Sequence, residues 1–522
     1  GMAQVWVFHG PTDGGTNPAA WDQLIDLGLL GTGAFFTTVS NLTNCRTYYF
    51  RTYATNSFGE AWAPSTEAFE ATEIGAGLDV LPVTDLSSVS AVLNGRLTTS
   101  STVARAWLYY GTSDGGTSPS SWENEIELGE YTNSVTPFSF AVPGLTTNTT
   151  VYYALRASNC AADVWTPSSE SFTTPAYSNR MKISFCAYTG TSPLTNFPVF
   201  VQLGPNITDF DYASFSSPSG GDLRFFDASE TVLLDHDIET WDTNGVSHIW
   251  VEVPRLEDSV THIYAKWGST ATNPPTSTTN GATWSANYRG VWHLSETVTD
   301  NTSSNRVHRD ASTNAFHADQ RDNGTVTGFI GNAQGFDGAG DQIRHDYSPI
   351  LNPDSVTLSG WIWLNTRASY STIVSSRDSG EDQGYSLFHQ NEPLWSFVTE
   401  GGTGTDFLSI PTSAEFTQTW IHVGASYDQG LGRVYINGRL EAESAMDYDR
   451  LIETNPFLIG AGFDEGTGYY FVGRIDVVRI AGEARSEDWM FAAWLNMASN
   501  HRFNCYELNT NRLRVAVNPL PA

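Results

Sequence analysis

The sequence predicts an all-β protein made of tandem β-sandwiches, and three observations support this prediction. The chain has 522 residues, a length that corresponds to roughly three to five domains of ordinary size. Aromatic residues make up 13% of the chain and charged residues only 16%, below the usual share of about 25%. Short segments that alternate apolar and polar residues, separated by Gly-, Asn- and Asp-rich turns, recur along the sequence as strands do.

The charge of the chain limits its partners. The formal net charge is −31, from 57 acidic and 26 basic residues. A surface this acidic repels nucleic acid and anionic lipid, so we expect neither as a partner. No run of about 18 apolar residues occurs, and we therefore expect no insertion into a membrane.

The cysteines leave their pairing open. Four occur, and they are Cys45, Cys160, Cys186 and Cys505. They allow three pairings, between which the sequence does not choose. Domains of this size also fold without disulfides, so free buried thiols are an equal alternative to bridges.

An internal repeat occupies the first third of the chain. Residues 10–21 and 111–122 both read G-x-x-D-G-G-T-x-P-x-x-W, with an offset of 101 positions. The later segments 42–56 and 145–159 also correspond to each other. A period of this length predicts one domain per repeat, with residues 1–74 as the first and 75–175 as the second.

Each repeat contains a Leu, then a Tyr pair, then A-x-N, and this order resembles the late strand of fibronectin type III domains. The resemblance implies a β-sandwich for each repeat. In the second repeat, residues 75–106 precede the Trp107 strand and should supply the opening strands. The first repeat has almost nothing before Trp6, so we expect it to lack its first strands. Either the sequence begins inside this domain, or another segment or subunit completes it, with residues 513–517 as one candidate donor strand.

Residues 176–287 are predicted to form a further β-sandwich. Segments 222–225, 238–241 and 250–254 resemble a domain of unknown function that commonly precedes laminin-G modules in bacterial surface proteins. That resemblance implies location and neighbours rather than chemistry. Five carboxylates lie close together in this sequence and could form a metal or acid–base site, although we favour strand-end and turn roles for them. They are Asp222, Asp227, Asp235, Asp237 and Glu239.

Residues 288–499 carry the most extensive pattern. Segments 291–294, 356–363 and 471–480 alternate as half-buried strands, and Asn437-Gly438 is a type I′ turn signal. Ser486 is placed to cap a short helix. The order and spacing resemble a laminin-G-like, concanavalin A-type jelly roll. The resemblance implies tandem β-sandwiches that end in this jelly roll, an extracellular or bacterial cell-surface location, and a C-terminal tail of residues 500–522 that serves as linker or donor strand.

Related jelly rolls often hold a structural Ca²⁺, which takes six to eight oxygen ligands. The resemblance implies Asp310 and Asp476 as ligands, with Asp337 or Asp341 next. The alternative is that Asp337 and Asp341 cap turns and that Asp476 pairs with a nearby arginine.

Glycan binding in such folds uses exposed aromatic side chains that stack on sugar rings, together with polar groups that bind hydroxyls. Most tryptophans on the predicted strands, such as Trp292, Trp361, Trp363 and Trp420, are interpreted as core residues. The predicted ligand-binding residues lie in loops and at strand ends, and they are Tyr370, Arg377, Asp382, Tyr385, His389, Trp395, Tyr469 and Tyr470.

Motifs of catalysis are missing from the sequence. It contains no E-x-D-x-x-E run of the kind that glycoside hydrolases use, no H-E-x-x-H zinc motif and no phosphate-binding glycine loop. We therefore expect that the protein is not an enzyme.

Three functional hypotheses follow. The first is an extracellular, non-catalytic binding or adhesion protein whose jelly roll contacts a glycan, extracellular matrix or surface polymer. The second is a structural subunit of an extracellular filament or sheath, joined to other copies of itself by strand complementation. The third is a binding appendage of a larger secreted polysaccharide-degrading enzyme.

Overall fold

The structure is a computed structural model. Its described elements are almost all strands, which confirms the predicted all-β class. They form two compact units, one made of Gly1–Thr84 and Ala91–Thr174 and the other of Asp85–Ser90 and the chain from Pro175 onward. None of the helices in the described part of the chain is long and apolar enough to cross a membrane. The residues that the structure describes are 1–43, 45–71, 77–98, 104–131, 135–159, 162–299, 302–366, 370–378, 383–390, 394–401, 404–411, 417–452, 455–462 and 468–510.

The first repeat forms a single five-stranded antiparallel sheet. Its strands are β1 (Ala3–Gly10), β2 (Gln23–Leu30), β3 (Thr47–Asn56), β4 (Gly59–Trp62) and β5 (Glu67–Glu70). The order is β2-β1-β3-β4, and β5 also pairs with β3.

The second repeat has the same sheet and a second sheet in addition. The additional three-stranded sheet has the order β10-β7-β6, and the five-stranded sheet has the order β9-β8-β11-β12 with β13 on β11. The strands are β6 (Gly77–Thr84), β7 (Ala91–Thr98), β8 (Ala104–Gly111), β9 (Asn124–Tyr131), β10 (Val135–Val142), β11 (Thr150–Ser158), β12 (Asp163–Trp165) and β13 (Glu170–Thr173).

The repeated D-G-G-T-x-P-x-x-W motif is a structural turn in both repeats. Trp21 Nε1 donates a hydrogen bond to the Gly15 carbonyl at 3.3 Å, and Trp122 does the same to Gly116 at 3.0 Å. The indole lies so close to the turn that a Cβ on Gly14 would be 2.6 Å from the Trp21 ring. The glycine and the tryptophan therefore recur together because one makes room for the other.

The middle domain contains two sheets. The five-stranded sheet has the order β17-β16-β20-β14-β37, and the three-stranded sheet has the order β15-β19-β18. The elements are β14 (Asn179–Ser184), β15 (Leu194–Leu203), β16 (Arg224–Phe226), β17 (Leu233–Leu234), β18 (His236–Thr240), β19 (Ser247–Leu256), β20 (His262–Trp267), α1 (Ser277–Asn280) and β37 (Cys505–Thr510).

Two eight-stranded sheets form the jelly roll. One contains β24-β25-β36-β27-β32-β33-β34, with β21 on β36, and the other is β22-β23-β26-β35-β28-β29-β30-β31. The elements are β21 (Tyr288–Trp292), β22 (Thr302–His308), β23 (Ala318–Arg321), β24 (Gly324–Thr327), β25 (Asn332–Asp337), β26 (Gln342–His345), β27 (Val356–Leu364), β28 (Tyr370–Asp378), β29 (Gln383–Gln390), β30 (Leu394–Gly401), β31 (Gly404–Pro411), β32 (Trp420–Asp428), β33 (Leu431–Ile436), β34 (Arg439–Ala445), β35 (Phe457–Ile459), β36 (Val472–Ala481), α2 (Glu487–Ala498) and α3 (Asn500–Phe503).

One hydrophobic core joins the middle domain to the jelly roll. Trp250 and Trp267 of the middle domain belong to the same buried cluster as Trp361 and Val477 of the jelly roll. Helix α2 contributes Trp489 to this cluster. The two domains therefore bury apolar surface against each other as parts of one folded body.

The chain returns to the middle domain after the jelly roll. Strand β37 pairs with β14. A disulfide joins Cys505 of β37 to Cys186, two residues beyond the end of β14, with a Cα–Cα distance of 5.9 Å. Cys160 and the candidate donor segment 513–517 lie outside the described residues. The predicted tail thus begins with helix α3 and continues as an edge strand of the middle domain.

The double variant Cys186→Ser/Cys505→Ser should unfold at lower denaturant concentration than the wild type. The disulfide closes a loop across 319 positions, and its loss enlarges the unfolded ensemble, so we expect a decrease in unfolding free energy of roughly 2–5 kcal/mol. Urea titration of tryptophan fluorescence measures this change. In excess reductant the two proteins should become equally stable, and a difference that persists there would contradict the explanation.

Candidate functional site

Two tyrosines contact each other at the start of strand β28 in the second jelly-roll sheet, and we call them the aromatic pair. Tyr370 is the first residue of β28, and Tyr469 lies shortly before β36. Their ring centroids are 4.6 Å apart with an interplanar angle of 30°. The Tyr370 side chain is 40% exposed, so part of this aromatic surface faces solvent.

The backbone fixes the aromatic pair in place. The Thr372 N–H donates to the Tyr469 carbonyl at 2.9 Å. Tyr469 has a φ of 51°, a left-handed conformation that is uncommon for a bulky residue and is often found at functional sites. A Cβ on Gly462 would lie 2.2 Å from Thr372 Cγ2, so only glycine allows this close approach. Beneath Tyr370, the buried Phe388 ring lies 6.1 Å away, centroid to centroid.

Three of the other predicted ligand-binding residues are buried within the jelly roll. Tyr385 is fully buried and donates from its hydroxyl to the Leu351 carbonyl at 2.6 Å, which corrects the prediction that it contacts a ligand. Arg377 is also buried, and it pairs with the buried Glu400 at 2.7 Å. His389 is buried and Tyr470 is half-buried. Asp382 lies outside the described residues. For Trp395, only its position in strand β30 is described.

Each of the four predicted calcium ligands accepts a hydrogen bond from a backbone amide. Both carboxylate oxygens of Asp310 accept hydrogen bonds, among them those from the Val291 and Phe316 amides at 2.9 and 2.8 Å. Asp337 and Asp341 share one turn, where Asp341 accepts from the Asp337 amide at 2.7 Å.

Asp476 is buried and accepts from the Phe329 and Ile330 amides at 2.7 and 2.9 Å. Burial raises the pKa of its carboxyl well above the ordinary value. Among the described residues, no group of three or more His, Cys, Asp or Glu side chains that could hold a metal ion is found. Calcium binding by the four aspartates therefore stays a prediction.

A buried charge cluster, which we call the junction cluster, connects the middle domain to the jelly roll. His293 lies 3.0 Å from the Asp237 carboxylate and 3.3 Å from that of Glu239. Glu239 also accepts from Trp250 Nε1 at 2.8 Å. The Arg479 guanidinium lies 4.2 Å from the centroid of the Trp250 ring. Asp237 and Glu239, two of the five carboxylates that lie close together in the sequence, thus link the middle domain to the jelly roll.

The carboxylates of the junction cluster keep His293 protonated. Burial by itself would lower the pKa of His293, but the charges of Glu239 and Asp237 outweigh it and raise the pKa to about 9. The cluster is largely shielded from solvent and bridges the middle domain and the jelly roll.

Three asparagines that the sequence analysis did not predict bind the edge strand β15, and we call them the asparagine ladder. Asn496, Asn500 and Asn504 all donate from their amide groups to the Phe200 carbonyl, at 3.0, 2.7 and 2.8 Å. Asn496 also accepts from the Phe200 amide at 2.6 Å. Asn496 lies in α2, Asn500 begins α3 and Asn504 directly follows α3. Their recurrence at every fourth position is the sequence signal that could have revealed them.

Two parts of the larger unit match known protein families. Residues 337–490 match a family described as Concanavalin A-like lectin/glucanases superfamily, and residues 219–288 match the domain of unknown function DUF2341. Both resemblances proposed from the sequence for these regions are confirmed, whereas a fibronectin type III family is not among the matches. No curated protein matches the chain.

Several solved structures resemble parts of the chain at low identity. The CBM40 of Ruminococcus gnavus IT-sialidase is 14% identical with a TM-score of 0.26, over 29% of this chain and 92% of that one. Domain 4 of AbnA, an arabinanase from Geobacillus stearothermophilus in complex with arabinotriose, is 19% identical with a TM-score of 0.27, over 32% and 79%. Trypanosoma rangeli sialidase is 12% identical with a TM-score of 0.33, over 87% and 67%.

Replacing His293 by Gln should destabilise the unit in a pH-dependent manner. The histidine's pKa is about 6.5 when unfolded and about 9 when folded. Its stabilisation is therefore complete below pH 6.5 and disappears as the pH rises through 9. We expect the substitution to lower the free energy of unfolding by about 3 kcal/mol at pH 6 and by much less at pH 10.

Urea unfolding of both proteins between pH 6 and pH 10 measures this dependence. His262→Gln, at a partly exposed histidine of β20, is the matched control and should change stability little at either pH. A His293→Gln effect that stays constant across this range would show that the side chain acts by packing alone.

Proposed function

We propose that this chain is an extracellular, non-catalytic protein that binds a glycan through its jelly roll, with the aromatic pair as the contact surface for sugar. One observation carries the proposal. Tyr370 and Tyr469 present a partly exposed, rigid pair of rings within the segment that matches the concanavalin A-like lectin/glucanase family.

The geometry of the pair suits a sugar ring. Aromatic faces bury apolar C–H surface well, and a tyrosine adds a hydroxyl that can donate to or accept from a sugar hydroxyl. The hydrogen bond between Thr372 and Tyr469 holds the backbone before a ligand arrives. A preorganised surface loses less conformational entropy on binding, which favours affinity from a small contact area.

Two carboxylates in the same sheet, Glu400 and Asp378, support the proposal that the jelly roll binds a glycan without cleaving it. Glu400 pairs with Arg377 and accepts from the Thr405 hydroxyl at 2.6 Å. Asp378 accepts from the Asn455 amide at 3.1 Å. Both carboxylates are engaged by structural partners, whereas glycoside hydrolysis requires two that flank the scissile bond.

The overall charge favours a neutral polymer as the partner. With a net charge of −31, the protein repels polyanions at ordinary ionic strength. A neutral polysaccharide of an extracellular matrix or cell surface avoids this repulsion. We therefore propose neutral glycans as the ligand class.

Tyr370→Ala and Tyr469→Ala should each weaken glycan binding about tenfold, because each removes one face of the stacking surface. A glycan array with and without Ca²⁺ identifies a ligand, and isothermal titration calorimetry then gives Kd for each variant. The matched control is Phe407→Ala, which removes an exposed aromatic ring on β31 of the same sheet and should leave Kd unchanged.

Two results would count against the proposal. Binding that both tyrosine variants retain in full would place the ligand elsewhere on the chain. Release of reducing ends from any glycan on the array would show catalysis.

A further inference from the structure

The first repeat contains a polar cavity at one end of its sheet, and we call it the first-repeat cavity. It has a volume of about 600 Å³ and lies between the end of β1, the start of β2 and the irregular segment that precedes β3. A cavity of this size accommodates a small molecule. Its lining is rich in polar side chains, and it includes His9, Asp22, Gln23, Asn41 and Arg46.

The ends of β1 and β2 fix two of these side chains. His9 pairs with Gln23 across the two strands. A Cβ on Gly10 would lie 3.1 Å from Asp22 Cβ, so the glycine lets Asp22 approach the end of β1. The His9 residue is only 8% exposed, and its Nδ1 has no hydrogen-bond partner within the described residues. A buried polar atom of this kind is often explained by a ligand or water in the adjoining space.

A smaller cavity of about 300 Å³ occupies the corresponding place in the second repeat. Tyr110 and Glu123 line it where His9 and Asp22 line the first-repeat cavity. The described strands β6 and β7 contribute no residue to its lining. The position of the cavity therefore depends on strands that both repeats share.

One difference between the repeats changes the state of the carboxylate. In the second repeat, Glu123 accepts hydrogen bonds from the Thr112 amide at 3.1 Å and from the Thr112 hydroxyl. Pro11 occupies the position of Thr112 in the first repeat, and proline has neither group. Asp22 therefore lacks both bonds, and its carboxylate faces a cavity of twice the volume.

The first-repeat cavity offers both donors and acceptors, with balanced charge. Asp22 supplies an anion that accepts hydrogen bonds, and Arg46 supplies a cation that donates them. The Tyr48 hydroxyl accepts from the Thr43 amide at 2.9 Å, which leaves its own proton to donate. Burial lowers the pKa of His9, and the charge of Asp22 opposes this only in part, so the imidazole is neutral at pH 7.

This lining excludes three classes of ligand. Among the described residues, His9 and Asp22 belong to no group of side chains that could hold a metal ion. An anion would be repelled by Asp22 and by the net charge of −31. An apolar molecule would remove the charges of Asp22 and Arg46 from water without replacing their hydrogen bonds. A hydroxyl group both donates and accepts, so an uncharged molecule with several hydroxyls fits.

We propose that the first-repeat cavity binds a small neutral sugar, a mono- or disaccharide, as a second sugar site separate from the aromatic pair. The planar polar groups of Asp22, Asn41 and Arg46 bind its hydroxyls, and His9 and Tyr48 add further hydrogen bonds. This site goes beyond the proposed function, because it lies in the other compact unit and does not require that the jelly roll binds sugar.

Saturation-transfer NMR from the full chain to cellobiose, maltose, lactose and xylobiose tests the proposal. At least one of these neutral disaccharides should bind, with a Kd of roughly 1 mM. Binding should persist in the double variant Tyr370→Ala/Tyr469→Ala, which removes the aromatic pair. This comparison separates the first-repeat cavity from the site proposed in the jelly roll.

Two variants change the cavity itself. Asp22→Asn keeps the shape of the side chain and removes its charge, and we expect Kd to rise about tenfold. Pro11→Thr/Asp22→Glu copies the second repeat, and we expect it to abolish binding because the carboxylate is then bound internally. Glu123→Gln is the matched control and should leave Kd unchanged. Circular dichroism should show that all variants are folded.

Three results would overturn the proposal. Absence of saturation transfer to all of these sugars at about 10 mM would show that the cavity does not bind them. Full binding by Asp22→Asn would place the sugar elsewhere, and its loss in the tyrosine double variant would then assign it to the aromatic pair and leave the proposed function intact. Equal weakening by Asp22→Asn and Glu123→Gln would show a general effect on the repeats.

Discussion

The core shared by the middle domain and the jelly roll is the constraint on which the larger unit depends. Strand β36 runs between β25 and β27, and it also places Val477 in the common core and Arg479 against Trp250. The two family matches, residues 219–288 and 337–490, therefore describe parts of one folded body. Apolar packing and the charge pair of His293 act at the same boundary between the two domains. Without its neighbour, each domain would therefore expose apolar surface and leave charged groups without their partners.

Rigidity in this body also explains the proposed sugar-binding surface. The aromatic pair is held by backbone contacts between strand ends, while neighbouring polar groups of the same sheet, such as Arg377 and Glu400, are bound to each other inside it. A surface of this kind presents its rings without rearrangement. Recognition then depends on shape and stacking more than on charge, which agrees with the acidity of the whole chain.

Periodicity in the sequence predicts strands well but not the direction that each side chain faces. Alternation identifies the all-β class and the jelly-roll strands, and the family resemblance places Tyr370 and Tyr469 among the ligand candidates. Tyr385 is predicted in a loop or at a strand end, but it lies within β29, where residues 384–389 are buried on both faces of the sheet. His293 with Glu239, and Asn504 with Phe200, meet only after folding, so sequence spacing cannot pair them.

The return of β37 to β14 determines how the larger unit responds to mechanical force. Asn179 is paired with Thr510, and Ser184 with Cys505, so tension applied at Asn179 and Thr510 would open the two strands pair by pair like a zipper. The opening would stop at the Cys186–Cys505 bond. Everything between these cysteines, including the whole jelly roll, would then carry no load. The proposed sugar-binding surface lies within this unloaded part of the chain.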